Sequence, residues 1–322
     1  MRCMLTAVFI WAFCTSATAQ DWPARPVTMV VPFAAGGGQD VFGRLLAPRL
    51  SELLGRQVIV ENIGGAGGSI AASRVAKAAP DGYQFLLGGS STHLFSPLLS
   101  KAPAYDPVAD FAPVALILEQ PMLLVARKDF PADTLPSFIA YVKENQAKLQ
   151  YGSAGVGASS HLACVLFNAA IGVTVTHVPY RGSALAMQDL IARQNDYQCP
   201  TITTSSPQVE AGQIKGIAVL SQRRSPTLPN LASSQEQGLA DFDAGSWTAL
   251  FLPKGTPAAI VQKLHAAAVA TMETPYVRER LKDLGATVVG PERRSGDYLR
   301  SFVESEIKKW TGPVKAAGLT LQ

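Results

Sequence analysis

The sequence predicts an α/β protein built from two units, and three observations support this fold class. A strand, a glycine-rich loop and a helix start follow one another near the N-terminus, and the same succession restarts beyond residue 127. This repetition is typical of parallel sheets with helical crossovers. The chain has 322 residues, of which 48% are hydrophobic, so it can form two sizeable cores.

The first 19 residues have the pattern of a secretory signal peptide. Arg2 precedes a short apolar stretch at residues 5–13, and Ala17-Thr18-Ala19 provides the small residues of a cleavage site. The apolar stretch is too short to cross a bilayer as a stable helix. We therefore expect cleavage after Ala19 and a soluble mature protein in the periplasm.

The charge of the chain argues against a nucleic-acid partner. The formal net charge is +4 and the basic residues are scattered, so we expect no nucleic-acid surface.

Two cysteines, Cys164 and Cys199, lie beyond the predicted leader. In an oxidising compartment they can form a disulfide; two buried free thiols are the alternative. No metal-ligand spacing is present, and we expect no metal or cofactor.

The first strand and the loop after it predict an anion-binding site. The apolar run begins at Val27 and stops at Pro32, and three glycines, Gly36–Gly38, precede a helix that begins near Asp40. Such a helix directs its free N–H groups and the positive end of its dipole at the loop. Within the helix, Pro48 predicts a kink.

The remaining elements of the first unit are predicted from the same signals. In chain order they are a strand at 58–60, a glycine loop at 62–68, an alanine-rich helix at 69–79, and strands at 85–87, 112–118 and 122–126. The third strand ends in Gly-Gly-Ser-Ser-Thr-His. Glu119-Gln120-Pro121 is predicted to separate the last two strands.

The second unit spans about residues 127–245. Its predicted elements are a helix from Thr134 to about Asn145, a strand at 149–153, a glycine- and serine-rich loop, a helix at 161–170, a strand at 173–178, a helix to about 192, and strands at 196–199 and 214–220. Beyond it come a strand at 247–252, a helix capped by Thr256, and a long helix ended by Gly318.

The glycine loops do not match nucleotide-binding motifs. A P-loop needs Lys-Ser/Thr where Gln39-Asp40 follows the glycines, and a dinucleotide fingerprint needs glycine at Val41 or Ser160. Serines and histidines at 90–93 and 159–161 raise the alternative of a secreted serine hydrolase, but no G-x-S-x-G elbow is present. We expect Ser159 or Ser160 to cap a helix and to bind a carboxylate together with nearby N–H groups.

Eight motifs, in order along the mature chain, resemble those of Bug-type periplasmic solute receptors of tripartite tricarboxylate transporters. They are VVPFAAGGGQDV, VENIGGAGGS, AKAAPDGY, YDPVADFAPV, GSAGVGASSHL, HVPYRGS, RRSPTLPN and PKGTP. The resemblance implies a two-lobe Venus flytrap fold of periplasmic-binding-protein type, in which each lobe is a sheet with flanking helices and two strands cross between lobes. Lobe 1 is then 20–126 and 246–322, and lobe 2 is 127–245.

The resemblance also implies the function and the site. Such a receptor is not an enzyme; it is a monomer that captures a small carboxylate between its lobes and delivers it to the membrane components of the transporter. A receptor that feeds a sensor kinase is a further alternative. Carried over by motif, the ligand-binding residues are Phe33, Ala35, Gly36, Gly37 and Asp40 in lobe 1, and Ala154, Gly155, Ser159, Ser160, His161, Tyr180 and Arg181 in lobe 2. Ser90 and His93 are added as residues of the third loop of lobe 1.

One departure from the family pattern concerns the ligand. Relatives that bind amino acids tend to have an acidic residue just after the strand that ends near Cys199, where this chain has Cys199-Pro200-Thr201-Ile202. An ammonium group would lack a partner there, so we predict a non-amino carboxylate, aliphatic or aromatic. The aromatic residues expected at its apolar part are Phe33, Phe95, Tyr180 and Trp247.

Overall fold

A computed structural model of the chain describes residues 22–240 and 242–316. The predicted cleavage site at Ala19 and the predicted helix end at Gly318 lie outside the described residues. The strands are β1 (Val27–Val31), β2 (Val58–Asn62), β3 (Gln84–Gly89), β4 (Phe111–Pro121), β5 (Leu123–Arg127), β6 (Gln150–Ser153), β7 (Thr176–Pro179), β8 (Tyr197–Gln198), β9 (Ile214–Val219), β10 (Gly245–Pro253) and β11 (Thr287–Val288).

The helices pack around these strands. They are α1 (Gly38–Leu54), α2 (Ser69–Ala76), α3 (Ser96–Leu99), α4 (Leu135–Asn145), α5 (Ser159–Ile171), α6 (Ser183–Ile191), α7 (Ile202–Glu210), α8 (Ala258–Glu273), α9 (Pro275–Asp283) and α10 (Gly296–Ala316). A π-helical turn at Ser91–Phe95 leads directly into α3. Across the described residues, no helix has the length and hydropathy that a bilayer crossing requires.

The strands form two sheets, as the predicted fold class requires. The first has the order β11-β4-β10-β3-β1-β2 and the second β7-β6-β8-β5-β9. In the first sheet β1 is parallel to β2 and β3, whereas β10 is antiparallel to β3 and β4. We call the elements around the six-stranded sheet the first half and those around the five-stranded sheet the second half.

Both faces of the first sheet are buried, which explains the unbroken apolar run of β1. Met29 packs with Phe42 of α1 on one face, while Val30 packs with residues of α2 and α10 on the other. Strand side chains alternate between faces, so a strand covered by helices on both sides needs apolar residues throughout. In the second sheet Leu124 and Val125 belong to separate apolar clusters in the same way.

Two neighbouring segments carry the chain between the sheets. It leaves the first sheet at Pro121 and enters β5 at Leu123, and it returns between Ala244 and Gly245. The N–H of Met122 donates to the carbonyl of Ala244 at 3.0 Å, so the two crossings lie side by side. This confirms the two crossover strands of the predicted fold. The lobe boundaries at residues 126 and 246 stay a prediction.

The structure corrects several predicted elements. β4 continues through Glu119-Gln120-Pro121 because these residues pair with the start of β10. Thr256 does not cap α8: its hydroxyl donates to the carbonyl of Pro253, and Pro257 holds the cap position. Helices α7 and α9 were not predicted, since their sequences are rich in polar residues; each nevertheless buries apolar residues, such as Ile202 and Leu281.

Cys164 of α5 and Cys199, which follows β8, are joined as a disulfide in the structure. Their Cα atoms are 5.3 Å apart and both side chains are fully buried. The bond ties α5 to the second sheet behind the loop that precedes α5. It closes a loop with a sequence separation of 35 residues.

We expect the Cys164→Ala/Cys199→Ala double variant to be less stable by about 3–4 kcal/mol, because closure of a loop of this length restricts the unfolded chain. Urea unfolding of the two proteins measures the difference, and wild type unfolded in reductant serves as the control that should match the variant. Two reactive thiols in denatured, unreduced wild type would show that the bond does not form.

Candidate functional site

A cavity lies between the two halves, at the ends of the strands that precede the glycine- and serine-rich loops. Its empty space, including a part that is open to solvent, amounts to about 460 Å³. Side chains and backbone from both halves line it. They are Phe33, Gly38, Gln39, Ser90, Ser91, Gln120, Ser246 and Trp247 around the first sheet, and Met122, Ala154, Ala158, Ser159, Ser160, Ser183 and Thr201 around the second.

Four helices begin at this cavity. α1, α5 and α6 have their first or second residues in its wall, and α7 begins immediately after Thr201. None of the four has a side-chain hydrogen bond at its N-cap residue. The first N–H groups of a helix have no partner within the helix and carry its positive partial charge. The cavity therefore offers N–H donors and positive potential from both halves to an anion.

No charged side chain is among the residues that line this cavity in the described part of the chain. The polar groups are hydroxyls and amides, and Phe33, Met122 and Trp247 supply apolar surface. An anion here would be held by dipoles and neutral donors instead of by a lysine or arginine. An ammonium group would find no carboxylate, and a buried charge without a partner is costly.

Serine hydroxyls connect the two halves across the cavity. Ser159 Oγ lies 2.8 Å from Ser90 Oγ and 2.9 Å from Ser91 Oγ, and the N–H of Ser159 donates to Ser91 Oγ at 3.0 Å. Ser160 Oγ accepts a hydrogen bond from the N–H of Ala154 at 3.0 Å, so its own O–H can donate to a ligand. The expected capping role is wrong, because α5 begins at Ser159 and Ala158 occupies the N-cap.

The halves also touch beyond the cavity, so the structure is a closed arrangement. The N–H of Ala34 donates to the carbonyl of Arg181 at 3.2 Å, and Ser96 Oγ donates to the carbonyl of Gly157 at 3.3 Å. Glycine permits especially close approaches between the halves: a Cβ atom on Gly64, for example, would lie 2.6 Å from the carbonyl oxygen of Arg181.

The structure brings five of the predicted binding residues to the cavity wall: Phe33, Ser90, Ala154, Ser159 and Ser160. Ala35 and Gly36 are exposed. Gly155 lies against the carbonyl of Tyr180, and a Cβ on Gly37 would lie 2.9 Å from Ser183 Oγ. For all of the predicted residues, ligand contact stays a prediction.

Asp40 has a structural role, because its carboxylate is hydrogen-bonded within the protein. Its Oδ2 accepts hydrogen bonds from the N–H of Gly36 at 2.8 Å and from Arg44 at 3.0 Å. Burial acts to raise the pKa of Asp40, but the hydrogen bonds from Arg44 and Gly36 outweigh it and lower that pKa below its ordinary value. The carboxylate is therefore ionised and shapes the glycine loop; it does not line the cavity.

The two predicted histidines are packed behind the cavity wall. His93 is fully buried and stacks on Phe251 with ring centroids 3.5 Å apart. His161 stacks near His177 at 4.3 Å, and its Nδ1 accepts a hydrogen bond from the N–H of Gly157 at 3.4 Å. Burial lowers the pKa of His93 to about 3, and burial with the neighbouring His177 lowers that of His161 to about 3. Both rings are neutral at pH 7.

The other predicted residues lie at the margin of the site. The Tyr180 hydroxyl donates to Asp189 at 2.7 Å, and Arg181 has an exposed side chain. Phe95 packs edge-on against Trp310 at 5.5 Å. Among the four aromatic candidates, Phe33 and Trp247 line the cavity.

Sequence reasoning missed much of the cavity wall: Gly38, Gln39, Ser91, Gln120, Met122, Ala158, Ser183, Thr201 and Ser246. Ser183 carried a usable signal, because it follows a strand and begins a helix as the residues of the first loop do. Gln120, Met122 and Ser246 lie at the crossings between the sheets, and only the tertiary structure brings them to the site.

Two buried polar atoms in the wall have no hydrogen-bond partner within the described residues. They are the acceptor Gln39 Oε1 and the donor Trp247 Nε1. An unpartnered buried polar group costs free energy.

Comparison with known proteins identifies the family. The model of the family described as "Tripartite tricarboxylate transporter family receptor" matches residues 42–319. The structure of the periplasmic binding protein BugD has a TM-score of 0.90 at 40% identity, covering 94% of this chain and 100% of BugD. MatC from Rhodopseudomonas palustris, solved with bound malate, has a TM-score of 0.88 at 42% identity over 90% of this chain and 99% of MatC.

A third structure, an R. palustris protein with adipate, has a TM-score of 0.88 at 36% identity, covering 93% of this chain and 99% of that protein. These likenesses extend over nearly the whole length of each protein. Like the family model, they identify the chain as similar to binding proteins. The family consists of periplasmic binding proteins that act as receptors, not enzymes. The chain belongs to the family of tripartite tricarboxylate transporter receptors.

Proposed function

We propose that this protein captures a small non-amino dicarboxylate between its two halves and delivers it to the membrane components of a tripartite tricarboxylate transporter. The observation that carries the proposal is the meeting of four helix N-termini, none capped by a side chain, at one uncharged, hydroxyl-lined cavity. Relatives solved with malate and adipate support a ligand of four to six carbons.

The polarity of the cavity agrees with such a ligand. N–H groups and hydroxyls around it suit carboxylates, while Phe33, Met122 and Trp247 suit a short carbon chain between them. No carboxylate side chain lines the cavity to pair with an ammonium group, and this disfavours amino acids.

Binding and closure are coupled in this proposal. A ligand that accepts hydrogen bonds from α1 in the first half and α5 in the second contacts both halves only when they are closed. It therefore binds the closed state more tightly and shifts the population towards it. The serine contacts between Ser159 and the pair Ser90 and Ser91 add hydrogen bonds that are made only on closure.

We expect Ser160→Ala to bind dicarboxylates about ten- to a hundredfold more weakly, since one hydrogen bond to a charged group contributes about 1.5–3 kcal/mol. Isothermal titration of the exported protein, which we expect to begin at Gln20, with succinate, malate and adipate measures this. Ser305→Ala is the control: this serine of α10 is exposed and its hydroxyl donates to the carbonyl of Phe302, so the variant should bind as wild type does. Failure of wild type to bind any of the three acids would contradict the proposed function.

We expect the affinity for a dicarboxylate to be nearly constant between about pH 6.5 and 8. His93 and His161, with pKa values of about 3, stay neutral over this range, and both carboxyl groups of a small diacid, which titrate below this range, stay largely ionised. Titrations at several pH values test this. Binding about tenfold tighter at the acidic end would instead place a protonated histidine at the ligand.

We expect Gly64→Ala to fold but to resist closure, because its Cβ would lie 2.6 Å from the carbonyl oxygen of Arg181 in the other half. Overpacking of this kind costs about 1–3 kcal/mol, so ligand affinity should fall roughly ten- to a hundredfold. Small-angle scattering should show wild type becoming more compact with ligand and Gly64→Ala remaining open.

Gly312→Ala is the matched control for this variant, since its Cβ would meet no atom within 4 Å. It should close and bind as wild type does. Normal compaction of Gly64→Ala with ligand would show that the closed arrangement does not include this contact.

Transport itself is tested in cells. Deletion of the gene should abolish uptake of the radiolabelled dicarboxylate that the purified protein binds, and the wild-type gene should restore it. Unchanged uptake, together with loss of a transcriptional response to that acid, would favour the receptor of a sensor kinase.

A further inference from the structure

Leu162 of α5 is an apolar side chain of the second half that is buried by the first half. It is fully buried, and the other members of its apolar cluster all lie in the first half, on the π-helical turn, α3 and α10. They are the buried residues Leu94, Phe95, Leu99 and Val314, with Leu98, Ile307 and Trp310 partly buried against them. Separation of the halves would therefore expose Leu162 to water.

The opposite side of α5 is fixed to its own sheet. The main apolar cluster of the second half includes Ala163, Cys164 and Phe167, and the disulfide to Cys199 lies on this side of the helix. Since a helix turns by about 100° per residue, Leu162 points away from Cys164 and Phe167. While α5 keeps these contacts, it has no second way to bury Leu162 within its own half.

The contact of Leu162 is separate from the ligand cavity. Within the described part of the chain, neither Leu162 nor any member of its cluster lines the cavity, whereas Ser159, one turn earlier on α5, does. The burial of Leu162 therefore requires no ligand. Removal of apolar surface from water stabilises the closed arrangement of the empty protein as much as that of the occupied protein.

We propose that Leu162 acts as an apolar latch: by packing into the first half, it keeps a measurable fraction of the protein closed before any ligand binds. The inference rests on the closure step of the proposed function and does not depend on which acid is bound. A ligand that binds the closed state gains affinity in proportion to the fraction of protein that is already closed. Leu162 is thus a positioning residue, which acts on the ligand only through the arrangement of the halves.

Small-angle scattering of the ligand-free protein tests the latch directly. Wild type should be more compact on average than Leu162→Ala, because removal of a buried leucine side chain should lower the ratio of closed to open protein at least about tenfold. Leu162→Met keeps an apolar side chain of similar volume and should restore the compactness of wild type.

Titration of the same proteins with succinate, malate and adipate gives a second measurement. We expect the dissociation constants of Leu162→Ala to rise roughly tenfold, because less of the variant is closed before binding. The factor should be the same for every acid that wild type binds, since Leu162 contacts none of them.

Leu135→Ala is the matched control, since Leu135 of α4 is fully buried in a cluster within the second half. Leu135 stays buried whether the halves are open or closed, so its loss should lower the melting temperature without changing the scattering or the affinity. Leu162→Ala should lower the melting temperature of the ligand-free protein less, because the open protein does not bury Leu162. A residue that served only the stability of the fold would behave as Leu135 does.

The outcomes separate the latch from the proposed function. Ligand-free wild type that scatters as Leu162→Ala does would overturn the latch, and so would a melting loss as large as that of Leu135→Ala. Different factors for the three acids would overturn it as well, because they would place Leu162 in contact with the ligand. If none of the acids binds, the proposed function falls, and the scattering of the ligand-free proteins still decides whether Leu162 holds the halves closed.

Discussion

The site depends on four helix N-termini that meet at the gap between two sheets. Each of these helices begins with N–H groups that have no partner within the helix, and no N-cap side chain supplies one. In α5 the N–H of Ser159 instead donates to Ser91 Oγ in the other half. The chain topology causes the meeting: a strand that runs into a loop and then into a helix places the helix start at its carboxyl end. Parallel neighbours place their helix starts at the same edge of the sheet.

Because backbone dipoles supply the positive potential of the cavity, the side chains that line it in the described part of the chain are uncharged. Two of the predicted titratable residues lie behind the wall: Asp40 is hydrogen-bonded to the glycine loop, and His93 is kept neutral by burial. Neutral donors that are fixed in direction discriminate between ligands by geometry.

The same architecture connects the site to movement between the halves. The chain crosses between the sheets at two adjacent places, near Met122 and Ala244, and residues at these crossings also line the cavity. Glycines and serines form the facing surfaces because small residues permit backbone approaches such as that of Gly64 to Arg181. Closure and ligand contact therefore involve the same loops.

The sequence by itself determined the fold class, the first sheet's strand–loop–helix order, the family and the loops of the site, because apolar periodicity, glycine runs and motifs are local signals. Only the tertiary structure decided which side chains face the cavity. Gln120 and Ser246 are 126 positions apart yet share one wall, whereas the predicted ligand residues His93 and His161 face apolar or aromatic neighbours. Helix α7 was missed for the same reason: a polar segment became helical by packing against the second sheet, a contact that no local pattern encodes.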